Sequence, residues 1–177
     1  MDNEQNTKPG MLTGMFRDRD STERAYNNLR ERGYSDKDIN LIMSDETRNK
    51  HFKDEEVETE VGSKAMEGAG KGSAIGGTIG AVAGVIAALG TSLLIPGLGI
   101  VIAGPILAGL AGAGAGGITG GLIGALIGAG IPEEKAKFYE SGVKEGGIVM
   151  GVNPRNKEDA DYFEEDWRKN KGEEIFR

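Results

Sequence analysis

The chain has 177 residues, a formal net charge of −7, one histidine and no cysteine. The absence of thiols excludes a disulfide framework, a cysteine nucleophile and a thiolate metal site, and a lone histidine argues against zinc. The acidic balance, with no dense Lys/Arg stripe, argues against nucleic acid as the main partner.

Residues 1–10 (MDNEQNTKPG) are polar and lack an apolar h-region, which predicts a disordered tail rather than a secretory signal. Met11–Phe16 (MLTGMF) predicts a strand. Asp20 is the expected N-cap of a helix Ser21–Arg32, with Glu23 as its capping-box partner and Gly33 as its C′ glycine. Ala25 and Leu29 share one face of that helix. Ile39–Met43 (INLIM) predicts a second strand, which completes a strand–helix–strand unit. Ser44–Lys64 is polar and acidic, and the alternation Val57, Thr59, Val61 suggests a weak edge strand.

From Gly72 to Pro132 the chain carries no charged side chain for 61 residues, and glycine recurs inside this run at every fourth position. One series is Gly68, Gly72, Gly76, Gly80, Gly84; a second is Gly104, Ala108, Gly112, Gly116, Gly120, Gly124, Gly128. Residues four apart share a helix face, so each series predicts a grooved helix that a second helix can approach closely. The expected arms are Ala65–Leu89 and, starting at Pro105, a helix to about Ala129. The stretch Thr91–Gly104 would join them as an apolar tip containing Leu93, Leu94, Ile95, Pro96, Leu98, Ile100, Val101 and Ile102. Either arm is long enough to cross a bilayer core.

Beyond it, Glu133–Glu145 predicts a helix that buries Ala136, Tyr139 and Val143, and Gly147–Val152 predicts a third strand. Asn156 caps a last helix, Lys157–Lys169, with Ala160, Phe163 and Trp167 on its apolar face. The chain then divides into a tail (1–10), the first half of an α+β domain with an acidic linker (11–64), a glycine-zipper helical hairpin (65–131), and the second half of the domain with a C-terminal helix (132–177).

The opening MLTGMFRDRDSTERAYNNLRERGYSDKDINLIMS and the closing IPEEKAKFYESGVKEGGIVMGV resemble the bacterial general stress protein 17M-like, heat-induced stress protein family, in its subgroup with a glycine-zipper insertion. The resemblance covers residues 11–44 and 131–152 with the zipper between them. It implies a ferredoxin-like α+β domain in a bacterium, induced by stress, with no known enzymatic activity, and it supplies no mechanism or ligand; no cofactor is expected. A fourth strand of such a sheet would have to come from 57–61.

Three functions follow as expectations. The first is a non-enzymatic stress protein that self-associates through the glycine faces and attaches to or inserts in a membrane, on the cytoplasmic face of the inner membrane. Lys64, Lys71, Lys135 and Lys137 flank the run, as a cytoplasmic domain would require. No aromatic residue lies between Phe52 and Phe138, so an interfacial belt is missing, and a re-entrant hairpin or multi-chain bundle fits better than a full span. The second is a soluble homo-oligomeric scaffold or shell in which the zippers bury one another; isolated in water, glycine-rich helices lose up to about 1 kcal/mol per Gly relative to Ala. The third is a small-molecule sensor, on fold analogy alone. The G-x-G-x-x-G match at Gly112–Gly117 falls within the glycine repeat and is read as packing rather than phosphate binding. The acid clusters Asp54-Glu55-Glu56 and Glu164-Glu165-Asp166 are read as solvated. No nucleophile–base–orienter set can be assembled around His51, so no catalytic residue and no metal ligand is expected.

Overall fold

Residues 12–16, 39–43, 100–103 and 148–152 are buried on both faces and, Thr13 and Asn40 apart, apolar, the pattern of a sheet covered on both sides. The computed structural model describes residues 9–52, 93–95, 99–106 and 121–177. The chain begins with strand β1 (Leu12–Phe16), helix α1 (Arg19–Glu31), a single 3₁₀ turn (Asp36–Asp38) and strand β2 (Ile39–Ser44). Residues 45–52 are helical (α2 within the described residues). Strands β3 (Leu93–Ile95) and β4 (Ile100–Ala103) follow, then helices α3 (Gly121–Gly128) and α4 (Glu133–Lys144). Strand β5 (Ile148–Val152), helix α5 (Lys157–Lys169) and strand β6 (Glu173–Phe176) complete the chain.

The six strands form one sheet in the order β3-β4-β2-β5-β1-β6. All neighbours are antiparallel, with Leu12 opposite Val152, Ile39 opposite Val152 and Leu41 opposite Ala103. The two strand–helix–strand units interleave. β1 and β2 flank β5, while β5 and β6 flank β1, so each crossover skips one strand of the other unit.

Side-chain alternation fixes the layers. Leu12, Phe16, Leu41, Met43, Met150 and Val101 face one side, where α1 and α5 supply Leu29, Phe163 and Trp167. Met15, Ile42, Val149, Ile100 and Ile102 face the other, where α3 and α4 supply Leu122, Leu126, Tyr139 and Val143. Phe16 meets Trp167 edge-on with ring centroids 5.7 Å apart. Gly142 brings α4 onto the sheet: a Cβ there would lie 2.0 Å from Met15 Sδ.

All four helices whose C-terminal ends are described close in the same way. After α1, Tyr34 N–H donates to Leu29 O at 3.1 Å and Gly33, at φ +80, donates to Arg30 O at 2.9 Å. This paired closure recurs at Gly130 and Gly146 and, after α5, at Lys171, which adopts φ +62 without being glycine.

Several expectations change. The N-cap of α1 is Asp18, not Asp20: its carboxylate accepts from Ser21 N–H at 2.8 Å and Ser21 Oγ–H at 3.0 Å, which puts Asp20 inside the first turn. The stretch expected as a bent tip between helices contains two strands of the sheet, β3 and β4. A helix unbroken from Pro105 to Ala129 does not form, because Gly121 opens α3 at φ +60. The fourth strand of the interleaved pair of units is β6, from a C-terminal stretch the sequence did not mark as a strand. The weak strand expected at 57–61 lies outside the described residues, as does the arm Ala65–Leu89.

Candidate functional site

The end of the sheet where β2 begins is where the uncharged run passes out of β4. β4 ends there at Ala103, and Gly104 turns the chain at φ +103. The turn is so close to β2 that a Cβ on Gly104 would sit 2.3 Å from Ile39 O and 2.8 Å from Asn40 Cα. Only a glycine meets both conditions.

Asn40 holds the next step. It is a buried amide inside an otherwise apolar strand. Its Oδ1 accepts from Ile106 N–H at 2.7 Å, and its Nδ2 donates to Gly151 O at 3.4 Å. One side chain therefore ties the departing chain to both β2 and β5. Ile106 is buried in the same apolar cluster as Leu122 and Leu126. Beside this junction is a pocket of about 330 Å³ whose walls include Pro9, Met11, Asn40, Pro105, Ala125 and Asn153.

A second polar cluster joins α1 to α5 on the opposite face. Asp159 is buried and accepts from Arg32 Nη1 at 2.6 Å and from Tyr34 OH at 2.7 Å. Tyr34 OH in turn accepts from Arg155 N–H at 2.8 Å. The Arg32 guanidinium lies 3.7 Å from the Tyr162 ring centroid and that of Arg155 lies 4.1 Å from Tyr34. Arg155 also donates to Arg32 O and Gly33 O, the free carbonyls at the C-terminus of α1. Burial, reinforced by the bond to Asp159, pushes the Tyr34 phenol up to about 12. Each of these groups has a partner within the cluster, so it works as a structural joint. The cation sits at one helix C-terminus and the carboxylate in the first turn of the other.

The structure scatters the residues singled out from the sequence. Gly104 serves a turn rather than a helix face. Gly124 and Gly128 lie on α3, where Gly128 is exposed with no atom near its missing Cβ and Ile127 beside it is 44% exposed. Leu93, Leu94 and Ile95 are in β3, while Ile100, Val101 and Ile102 are buried in β4. Gly68, Gly72, Gly76, Gly80, Gly84, Ala108, Gly112, Gly116, Gly120, Pro96 and Leu98 lie outside the described residues. Lys135 and Lys137, expected to flank a membrane, are on α4 and pair with Glu174 and Glu133.

Asn40, Arg32, Tyr34, Arg155 and Asp159 were missed. Asn40 had a signal, a lone amide in INLIM; the others had none, being brought together only by the crossover of two units. Among the described residues there is no group of three metal-ligating side chains. None of their helices is long and apolar enough to cross a membrane. No family model, no curated protein and no solved structure matches the chain.

Proposed function

We propose that the chain is a non-enzymatic bacterial general-stress protein. In this reading a ferredoxin-like domain carries a glycine-rich segment through which copies associate at the cytoplasmic face of a membrane. The interleaved units β1–α1–β2 and β5–α5–β6, with the order β6-β1-β5-β2 inside the larger sheet, are compatible with the ferredoxin-like arrangement.

The observation that carries the functional reading is the distribution of the uncharged run. Its part in β4 and α3 is core of the domain: Ile100, Val101, Ile102, Leu122 and Leu126 are all buried. Folding of the domain thus accounts for those apolar residues. What remains is Gly72–Ser92, which carries Gly72, Gly76, Gly80 and Gly84 at four-residue spacing, and residues 107–120, which carry Ala108, Gly112, Gly116 and Gly120; both stretches are free of charge. Small residues at that spacing favour close helix–helix contact, including in lipid.

A soluble homo-oligomer is the second reading, favoured by the sequence just before that segment. Residues 53–71 contain nine charged side chains, which oppose their entry into hydrocarbon.

Fractionation with a carbonate wash, followed by mass measurement of the soluble protein, separates the two readings. Retention until detergent is added supports membrane attachment; a discrete soluble oligomer supports the scaffold. Gly80→Leu should disrupt association in either case while Glu164→Ala leaves it intact. A monomer in both fractions, or unchanged assembly of Gly80→Leu, would refute the packing claim.

A further inference from the structure

We propose that the pocket at the β2 end of the sheet binds a small neutral amphipathic molecule whose polar end is a hydroxyl or carbonyl oxygen. At about 330 Å³ its volume is that of roughly ten water molecules in the liquid, enough for a compact organic ligand. Among the described residues none that lines it is charged, in a chain of which 28% of residues are Asp, Glu, Lys or Arg. A charged ligand would lose its hydration there without gaining a counter-ion, so the lining selects for neutrality.

The polar end is set by Asn40, which lines the pocket and is 1% exposed. Its oxygen is committed to Ile106 N–H at 2.7 Å. Its amide nitrogen, with two hydrogens to donate, reaches only Gly151 O at 3.4 Å and Met11 Sδ at 3.7 Å. The bond to Gly151 O is long for nitrogen and oxygen, so an oxygen acceptor at ordinary hydrogen-bond distance would compete for this buried donor. Asn153, exposed at the rim, supplies a second amide. The apolar walls, Pro9, Pro105 and Ala125 among them, come from three separate parts of the chain, and the prolines fix the backbone of two of them. A concave pocket that combines apolar side chains with a few placed amides is a common build of a small-molecule site.

The test uses the isotope-labelled full chain and two probes of equal length, 1-hexanol and hexanoate, followed by NMR. Saturable shifts at the Asn40 side-chain amide and the Met11 methyl with hexanol, and at least ~10-fold weaker binding of hexanoate, are expected. Ala129→Leu narrows the pocket from its wall and should weaken hexanol binding by a similar factor, about tenfold, with the remaining spectrum unchanged. Shifts that do not saturate, equal binding of hexanoate, or full hexanol binding by a folded Ala129→Leu variant would overturn the proposal. So would contacts between the Asn40 amide and residues 107–120 in the free protein, since the chain itself would then fill the pocket.

Discussion

Replacing Gly104 by alanine should cost far more than a glycine-to-alanine change on a helix surface. Two penalties combine. The residue holds φ +103, outside the range L side chains adopt readily, which costs about 1–2 kcal/mol. The new Cβ would also meet Ile39 O at 2.3 Å and Asn40 Cα at 2.8 Å. Those are backbone atoms of β2, which is held between β4 and β5, so they cannot swing aside as a side-chain tip can. Overpacking of this kind adds about 1–3 kcal/mol. The expected loss is therefore about 3 kcal/mol, a large fraction of a typical domain's stability. Two other glycines calibrate it. Gly99 has φ +59 with nothing within 4 Å of its missing Cβ, so Gly99→Ala should lose only the backbone contribution, about 1 kcal/mol. Gly128 sits in open space at the end of α3, and Gly128→Ala should gain a few tenths of a kcal/mol from helix propensity. Urea unfolding at constant m-value reads all three. If Gly104→Ala were no less stable than Gly99→Ala, the tight turn over β2 would be wrong.

Other expectations follow from the same contacts. Tyr34 and Tyr139 are both buried phenols pushed up to about 12 by that burial, against an ordinary value of 10. Their folded-state values are raised, so their contribution is fully present below pH 10 and is lost as pH rises from 10 through 12. The urea midpoint should fall across that window, and less steeply in Tyr139→Phe; a flat profile would refute the assignment. Lys171 occupies the left-handed position that glycine holds after α1, α3 and α4, so Lys171→Gly should raise stability by about 0.5–1 kcal/mol, read by thermal unfolding. β6 is an edge strand tied by exposed ion pairs, Arg17–Glu173 at 3.0 Å and Lys135–Glu174. Salt screens such pairs, so amides 173–176 should exchange hydrogen faster than those of β5, and faster still at high salt. Exchange of β6 that ignores salt would mean its ion pairs contribute nothing.

What the sequence disclosed follows the range of the interaction concerned. Helices α1 and α5 were legible because caps and apolar spacing are local: Asn156 does accept from Asp159 N–H, at 2.8 Å, and Phe163 and Trp167 do face the core. The N-cap of α1 slipped by two residues because Asp18 and Asp20 both precede a helical pattern and only geometry distinguishes them. β5 was legible as an apolar run. β6 was not: Glu173-Glu174-Ile175-Phe176 has no clear period, and it is a strand only because β1, far away in the chain, offers it an edge. β4 was obscured by composition. Ile100–Ala103 is a β-branched apolar run between glycines, but it lies between the two glycine series and so reads as the tip that joins their helices. Asn40 and the Arg32–Asp159–Tyr34 joint depend on partners brought in by the crossovers, which no local pattern contains.

The position of β4 and α3 changes what the uncharged run can do in lipid. A hairpin across a bilayer needs two uncharged arms of about 20 residues each, because its hydrocarbon core is ~30 Å thick. The run leaves the described core at Ile106 and returns at Gly121, with 14 residues between. An excursion that short, out and back, reaches at most about 23 Å even fully extended. The second glycine series therefore cannot cross a membrane from this domain. The first series, Gly72–Ser92, has the length for one crossing, but β2 before it and β3 after it belong to one sheet, so an odd number of crossings is forbidden. A return arm would have to come from residues 53–71, with their nine charges. The proposed lipid attachment is therefore expected to be shallow rather than a full crossing. If the four glycines serve the proposed self-association, Gly80→Leu should release the protein from the membrane and from its own oligomer together; release from one alone would refute that coupling.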